Sequence, residues 1–296
     1  MPPAATTRRI AALSSSPSLS RLPSLPRDPA FRLGIVLVAV TVVAAIFAPL
    51  IAPHNPLVGD LKHDYLSASG GSFLFGADTQ GRDILSRVLY GARLSLAVGI
   101  ISQAVAVLLG VSLGLIAGYY GRWADAGIMR LADVTLAFPT LLLLIAVSAA
   151  IRPPYPAIFL LIGAVGWAGM ARLVRSQVLT LRHAEYVLAA RALGAPDRRI
   201  LWRHLLPNVR AQIIVAATLG MAGAIMAEAA LSFVGLGAQP PTPSWGAMVS
   251  EGRDLLRVAP WVSLVPGLAI GVAVLGFNLV GDGIREATDP RLRRRA

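Results

Sequence analysis

The sequence contains no cysteine, which excludes disulfide bonds, thiolate metal sites and cysteine nucleophiles. Lysine is nearly absent as well, because Lys62 is the single lysine and His63 follows it. A phosphate-binding P-loop needs a Gly-rich turn, then Lys, then Ser or Thr. The chain therefore has no loop of this type. If its activity uses ATP, another chain hydrolyses it.

Charged residues are also scarce. They make up 14% of the 296 residues, whereas hydrophobic residues make up 55% and the mean hydropathy is +0.66. A soluble domain has about 25% charged residues. The net charge of +12 does not indicate nucleic-acid binding, since the basic residues lie between long apolar runs and not on one continuous face. This composition favours a membrane protein.

Long apolar stretches dominate the chain after its first 32 residues. Each has roughly the 17–26 residues that a helix needs to cross ~30 Å of hydrocarbon, and a chain in lipid must satisfy its own backbone groups. The sequence thus predicts an all-α, polytopic membrane protein. We expect a flexible tail over 1–32, a membrane domain over 33–281 and a second tail over 282–296. The predicted spans are 33–52, 93–118, 131–150, 157–173, 210–235 and 261–281.

The distribution of Lys and Arg predicts the orientation of these spans. With the N-terminus in the cytoplasm, 20 of the 27 basic residues fall in segments on the inside, and 6 fall outside. An excess of this size is the positive-inside pattern. We therefore expect both termini in the cytoplasm.

The link between the fourth and fifth spans has internal order, although a plain connection in a bundle would have about 2–8 residues. Apolar residues recur at helical spacing up to Gly194, which is a suitable C-terminal cap. Pro196 and Asp197 suit the first turn of a second helix. We expect Pro207 to end that helix. The residues that carry the pattern are Tyr186, Val187, Ala190 and Leu193, followed by Ile200, Leu201, Trp202 and Leu205.

This link resembles the "EAA" loop of ABC-importer permeases, through Ala189-Ala190, Gly194 and Leu206-Pro207. The resemblance implies that 176–207 contains a cytoplasmic coupling helix that binds a groove of a separate ATPase. Leu188 replaces the usual Glu of the motif and His204 replaces a common Ile. The implied ATPase-coupling residues are Ala189, Ala190, Gly194, Ala195, Asp197, Leu206 and Pro207.

Further motifs are similar to permeases of the dipeptide/oligopeptide/nickel group, and together they match the "C" subunit of the pair, of the dipeptide type. They lie at 75–87, 119–139, 228–237, 239–246 and 277–283. The resemblance implies a type I importer permease fold in a bacterial inner membrane. It implies a heterodimer with a homologous permease, two cytoplasmic ATPase subunits that bind ATP and Mg, and an extracytoplasmic binding protein. The implied cargo is a short peptide, with nickel or haem as alternatives, and the chain itself needs no cofactor.

Two carboxylates and a hydroxyl are candidates for the pathway or its gate. Asp133 and Glu228 fall within predicted spans, where a charge is costly and is a functional candidate by default. Ser232 follows Glu228 by one helical turn. For Asp133, a pair with Arg130 or interfacial water would be a purely structural alternative. For Glu228, the alternative is a buried hydrogen bond that fixes helix packing.

The outer segment 236–260 combines stiff Pro-rich turns with an aromatic residue, a pattern that suits a lip for docking a binding protein. The candidate contacts are Pro241, Trp245, Glu251 and Arg253. Trp245 suits an interfacial anchor equally well. The cluster of Asp78, Gly81, Arg82 and Asp83 favours a capped turn with a local salt-bridge network over substrate contact.

Two other function classes fit the sequence less well. A serine-type intramembrane enzyme would need His within a span, but His54, His63, His183 and His204 all lie outside the spans, and no G-x-S-x-G is present. The spacing of these histidines does not suggest a metal site. A secondary transporter would show internal repeats, which we do not find, and it would leave the ordered cytoplasmic link without a role.

Overall fold

A computed structural model describes residues 28–59 and 73–288, and within these residues the chain is helical, without β-strands. Five of the described helices are long and apolar enough to cross a membrane, and the bent pair α3–α4 makes a sixth span if it crosses as one unit. The prediction of an all-α polytopic membrane protein is confirmed. The helices are α1 (Pro29–Ile51), α2 (Ile84–Tyr120), α3 (Arg122–Ala137), α4 (Thr140–Ile151), α5 (Tyr155–Leu181), α6 (Glu185–Ala192), α7 (Asp197–Arg199), α8 (Leu206–Phe233), α9 (Trp245–Glu251) and α10 (Trp261–Thr288).

The first and last long helices extend into the residues of the predicted tails. Helix α1 begins at Pro29, so residues 29–32 belong to the helix. Proline is favoured in a first turn, where its missing N–H has no helical partner to lose. At the other end α10 continues to Thr288, past the predicted boundary at residue 281. The remainder of the predicted tails, 1–27 and 289–296, lies outside the described residues.

The predicted span 131–150 is divided between two helices. Helices α3 and α4 are bent by 88° relative to each other at Phe138 and Pro139. Phe138 is extended, with φ −92° and ψ 139°. A residue before proline avoids the α conformation because the proline ring would clash with it. The position of this break was readable from Pro139, but the angle was not.

The centre of the bundle is a close packing of α2 against α5. A Cβ added to Gly110 would lie 2.5 Å from Met170 Cβ, and one added to Gly114 would lie 2.6 Å from the Ala171 carbonyl oxygen. These glycines let the two helix backbones approach, as small residues commonly do in membranes. The Gly163 position on α5 is equally close to α2, since a Cβ there would lie 2.5 Å from the Ser102 carbonyl oxygen.

Three other long helices complete the bundle around α2. Helices α1, α8 and α10 pack together through a buried apolar cluster to which α2 contributes Ala92 and Leu96. Helix α4 joins through Leu144, which packs with residues of α2, α5 and α8. Helix α2 therefore contacts most of the bundle along its 37 residues.

Candidate functional site

The link between α5 and α8 folds as a helix and a tight turn. Gly194 lies just beyond α6 with φ +77°, a left-handed conformation that favours glycine. Its N–H donates to the Arg191 carbonyl at 3.0 Å, and the Ala195 N–H donates to the Ala190 carbonyl at 3.0 Å. These two bonds form the Schellman cap that glycine commonly provides. The capped Gly194 turn ends α6, and the chain then returns to the bundle, where Ile200 is buried.

The second helix of the link does not end at Pro207, and that prediction is wrong. Asp197–Phe233 forms one helical segment of 37 residues. A π-helical turn, Ile200–Leu205, precedes α8, and the Leu206 N–H bonds to the Leu201 carbonyl, five residues back. Proline in an α-helix clashes with the carbonyl four residues earlier and lacks an N–H. The wider π turn changes the position of the preceding carbonyls, and the helix continues through Pro207.

One side of the link is fixed to the bundle. Val187, Ile200 and Leu205 are buried in an apolar cluster with residues of α2, α5 and α8. The other side is open: Leu188 is 47% exposed, Leu193 is 89% exposed and Trp202 is 61% exposed. We call these three residues the α6 surface. These apolar side chains are exposed among the exposed arginines of the link, and the described part of the chain does not cover them.

The residues implied in ATPase coupling lie together in and around this turn. Four are exposed, namely Ala189, Gly194, Asp197 and Pro207. Three are half-buried, namely Ala190, Ala195 and Leu206. The turn thus brings the whole set to one end of the bundle, although Leu206 and Pro207 already belong to the start of α8.

Side chains tie the link to the end of α2. The Tyr119 hydroxyl donates to Asp197 Oδ1 at 2.6 Å, and the Arg191 guanidinium lies 5.3 Å from the centre of the Tyr119 ring. Arg182 Nη1 donates to the Gly118 carbonyl at 3.1 Å. Sequence reasoning missed Tyr119, because its partner lies 78 residues away. The only signal was its place in the 119–139 motif.

Asp133 pairs with α5 and not with its own helix. Arg172 Nη2 lies 2.6 Å from Asp133 Oδ1, with both side chains more than half exposed. The alternative of a pair with Arg130 is therefore wrong. A second and less exposed pair joins the same two helices, since Arg175 donates through Nε and Nη2 to both oxygens of Asp125 at 2.7 and 2.6 Å. These contacts attach α3 to α5.

Glu228 is fully buried near the end of α8, and its Oε1 accepts two hydrogen bonds. One comes from the Tyr155 hydroxyl at 2.9 Å, and the other comes from Ser232 Oγ at 2.6 Å. The Ala238 N–H donates to Ser232 Oγ at 3.1 Å. Ser244 Oγ lies 3.4 Å from Ser232 Oγ and caps α9 by accepting from the Ala247 N–H. Glu228 and Ser232 thus connect α5, α8 and the loop before α9.

Four charged residues form a buried network where α2 begins. Asp78 Oδ2 accepts from Arg82 Nε at 2.7 Å and from Arg87 Nη1. Arg87 also makes a two-pronged pair with Glu251 at 2.6 and 3.1 Å. Asp83 caps α2 through the Ser86 N–H at 3.0 Å. The charge cluster predicts this turn and network, but only the structure shows that Glu251 belongs to it.

Two of the four candidate binding-protein contacts are not free surface. Trp245 is 2% exposed, and its Nε1 donates to the Val88 carbonyl at 2.9 Å, so it is neither a docking residue nor an interfacial anchor. Glu251 is held by Arg82 and Arg87. Pro241 and Arg253 are exposed. Pro241 borders a groove of about 640 Å³ whose other walls include Pro49, Pro53, His54, Pro56 and Tyr90.

Comparison with known protein families identifies the family of this chain. Residues 110–294 match the family model of the binding-protein-dependent transport system inner membrane component. The chain belongs to this family. Residues 24–68 match the N-terminal TM domain of oligopeptide transport permease C. The resemblance to importer permeases is thereby confirmed, and the chain is a membrane permease subunit.

Similar permeases cover most of the chain. The dipeptide transport system permease protein DppC of Alkalihalophilus pseudofirmus is 46% identical over 88% of this chain and 85% of its own length. The di/tripeptide transport system permease protein DppC of Pseudomonas aeruginosa is 42% identical over 89% of this chain and 88% of its own. The glutathione transport system permease protein GsiD of Pectobacterium atrosepticum is 47% identical over 74% of this chain and 72% of its own.

The permease's described residues include no group of three or more His, Asp or Glu placed to hold a metal ion. His54, for example, lies 3.5 Å from Asp83 at the start of α2 and stacks edge-on against Phe73 at 4.9 Å. His63 lies outside the described residues. The functional groups that the structure does assemble are the α6 surface, the Glu228–Ser232 contacts and the network around Arg87.

Proposed function

We propose that this permease pairs with a homologous permease to form the translocation pathway for short peptides in an ATP-driven importer. Two cytoplasmic ATPase subunits, which bind ATP and Mg, would supply the energy, and an extracytoplasmic binding protein would deliver the peptide. The observation that carries the proposal is the α6 surface, because exposed apolar side chains at the basic end of the bundle mark a contact site for a partner. The peptide cargo is supported by the named cargoes of the similar permeases, which are dipeptides, di- and tripeptides and glutathione.

The proposed orientation places both termini and the α6 surface in the cytoplasm. The basic residues support it, since Arg191, Arg198, Arg199 and Arg203 surround the Gly194 turn. The ends of α2 and α5 lie at the same side. The Arg87 network, α9 and the Pro241 groove then face outward, where a binding protein docks.

Within this arrangement the candidate residues have separate roles. Ala189, Ala190, Gly194, Ala195, Asp197, Leu206 and Pro207 form or support the turn that contacts the ATPase. Pro241 and Arg253 remain candidate contacts of the binding protein. Glu228 and Ser232 would set the position of the outer loop, and Asp133 would hold the bent pair α3–α4 against α5. The membrane lipid covers the remaining apolar surface of the bundle.

The central experiment is co-purification of ATPase subunits with the tagged permease. We expect wild type to bring ATPase with it, and Leu193→Asp to lose it, since an exposed charge would enter the apolar contact. Leu256→Asp is the matched control, because Leu256 is also exposed but lies in the outer segment. A variant with Gly194→Pro and Ala190→Asp should lose ATPase as well. If wild type recovers no ATPase when candidate partners are co-expressed, the importer proposal fails.

The cargo is tested separately with the assembled transporter in vesicles. We expect labelled dipeptide to enter in an ATP-dependent manner, and an excess of unlabelled dipeptide to compete. Competition by nickel or haem, and not by peptide, would show that the cargo proposal is wrong while leaving the importer intact. Uptake driven by an ion gradient without ATP would indicate a secondary transporter.

A further inference from the structure

Helix α2 differs from its neighbours in how it is joined to the Gly194 turn. Helix α5 leads into the turn through the backbone, and α8 continues from it through α7. Displacement of the turn therefore moves α5 and α8 directly. Helix α2 has no such connection, because it is distant in sequence. It is joined to the turn indirectly, through its close packing against α5, and directly, through side-chain contacts near Tyr119.

The polar contact between α2 and the second half of the turn is made by Tyr119. Its ring is buried among Val187, Ile200 and other apolar residues, so it cannot swing away without breaking that packing. Its hydroxyl donates to Asp197 at 2.6 Å. The guanidinium of Arg191, on the first half of the turn, lies 5.3 Å from the ring centre. Tyr119 thus contacts both halves of the turn at once.

The other end of α2 is attached to the outer segment. Arg87 pairs with Glu251 on α9, and the Val88 carbonyl accepts from Trp245 Nε1 at 2.9 Å. An α-helix rises 1.5 Å per residue, so α2 spans roughly 55 Å between its ends. A helix held firmly at both ends moves as a unit when one end is displaced, because its backbone bonds resist bending.

We propose that Tyr119 is a positioning residue that fastens the Gly194 turn to α2, so that movement of the turn by its cytoplasmic partner is passed through α2 to α9. This inference rests on the proposed function. It adds a specific link that the coupling-loop resemblance does not contain. Loss of the link leaves ATPase binding intact, since the residues of the α6 surface are exposed and lie outside the buried cluster that contains Tyr119, but it uncouples ATP hydrolysis from opening at the outer side.

The test compares Tyr119→Phe with Tyr120→Phe in the full complex. Both changes remove one hydroxyl from adjacent residues, but Tyr120 is exposed and its hydroxyl has no hydrogen bond among the described residues. We expect both variants to co-purify with ATPase as wild type does. We expect Tyr119→Phe to lower the amount of peptide transported per ATP hydrolysed about five- to tenfold, in keeping with loss of one ordinary hydrogen bond, because Asp197 is exposed and water can replace its partner. Tyr120→Phe should leave this ratio unchanged.

A double-mutant comparison distinguishes the link from a general loss of structure. Asp197→Ala should lower the same ratio, and the double variant Tyr119→Phe/Asp197→Ala should be no worse than the more affected single variant, because both remove one contact. Additive losses would overturn the proposal. Equal transport of peptide per ATP hydrolysed by the Tyr119→Phe and Tyr120→Phe complexes would overturn it too. The same holds for a fall in the yield of the Tyr119→Phe complex that accounts for all of the lost uptake. Failure of the wild-type chain to recover ATPase contradicts instead the proposed function.

Discussion

Single polar side chains join segments of this permease that are distant in the sequence. Glu228 holds Tyr155, which is 73 residues away, and Arg87 holds Glu251, which is 164 residues away. Buried polar groups are costly unless they have partners. Each of these residues therefore contributes to stability mainly because its removal would leave a buried partner unpaired.

Glu228 is predicted to act through its accepting oxygen and not through its charge. Glutamine keeps an oxygen for Tyr155 and Ser232, and the Glu228 Oε2 that its amide nitrogen would replace has no partner among the described residues. We expect Glu228→Gln to retain assembly and at least half of the uptake. Glu228→Ala should lower stability by about 3 kcal/mol, since it leaves hydroxyls unpaired and a cavity. Both variants are compared with wild type by thermal unfolding in detergent and by peptide uptake. A complete loss of uptake in a well-assembled Glu228→Gln complex would show that the charge itself is required.

Glu251 and Arg253 should behave differently although both were candidate binding-protein contacts. Glu251→Ala removes a partner from two buried arginines, and breaking a buried ion pair costs about 3–5 kcal/mol. Arg253 is exposed, and its recorded contacts are a pair with the exposed Asp254 and a position 6.0 Å from the centre of the Phe233 ring. Exposed contacts of this kind contribute little, so Arg253→Ala should lower thermal stability far less than Glu251→Ala. We expect Arg253→Ala to weaken binding-protein affinity instead, measured by titration of the detergent-purified complex. Equal thermal stability of the two variants would contradict the network.

At the level of elements, glycines have two different roles that the sequence does not distinguish. Some permit close contact between α2 and α5, whereas others face open space. Gly114 belongs to the first group, and Gly271 on α10 belongs to the second, with no atom within 4 Å of an added Cβ. The position of a glycine in the bundle therefore decides how its substitution affects stability.

The pair Gly114→Ala and Gly271→Ala tests this distinction with a single added carbon in each case. A Cβ at Gly114 would lie 2.6 Å from the Ala171 carbonyl oxygen, so the helices must separate. We expect a loss of about 1–3 kcal/mol, typical of overpacking. Gly271→Ala should be neutral or slightly stabilising, because alanine favours helix more than glycine does. The two variants are compared by thermal unfolding, measured by size-exclusion chromatography. A Gly114→Ala variant as stable as wild type would contradict the close contact between α2 and α5.

At the scale of the whole molecule, the orientation follows from the charge distribution. Exposed residues near the two ends of the bundle can report it, since the natural chain has no cysteine and an introduced one is the single reactive thiol. Val258 lies in the outer segment and is 73% exposed, and Trp123 lies at the start of α3 and is 91% exposed.

Labelling of these two positions tests the proposed orientation. We expect a membrane-impermeant maleimide to label Val258→Cys in intact spheroplasts. Trp123→Cys should react only after the membrane is permeabilised. The cysteine-free chain is the control for unspecific labelling. The opposite pattern would place the termini outside and the α6 surface away from any cytoplasmic ATPase.

The sequence by itself determined the features that depend on local chemistry. Long apolar runs predicted the spans, because a lipid environment demands helices of that length. The glycine cap at Gly194 was readable because a left-handed residue is needed there and glycine adopts it at the lowest cost. Basic residues predicted an orientation, and ordered motifs predicted the family. Each of these signals lies within a few residues or depends on composition alone.

Only the tertiary structure decided what depends on partners far apart in the chain. It buried Trp245, paired Glu251 with Arg82 and Arg87, and continued the helix through Pro207. It also paired Asp133 with Arg172 and brought Tyr119 to Asp197. Hydrophobic periodicity and composition do not encode these contacts. The same polar side chain can form its hydrogen bonds with water, with its own helix or with a distant helix. The packing of the bundle selects among these partners, and that packing is a property of all the helices together.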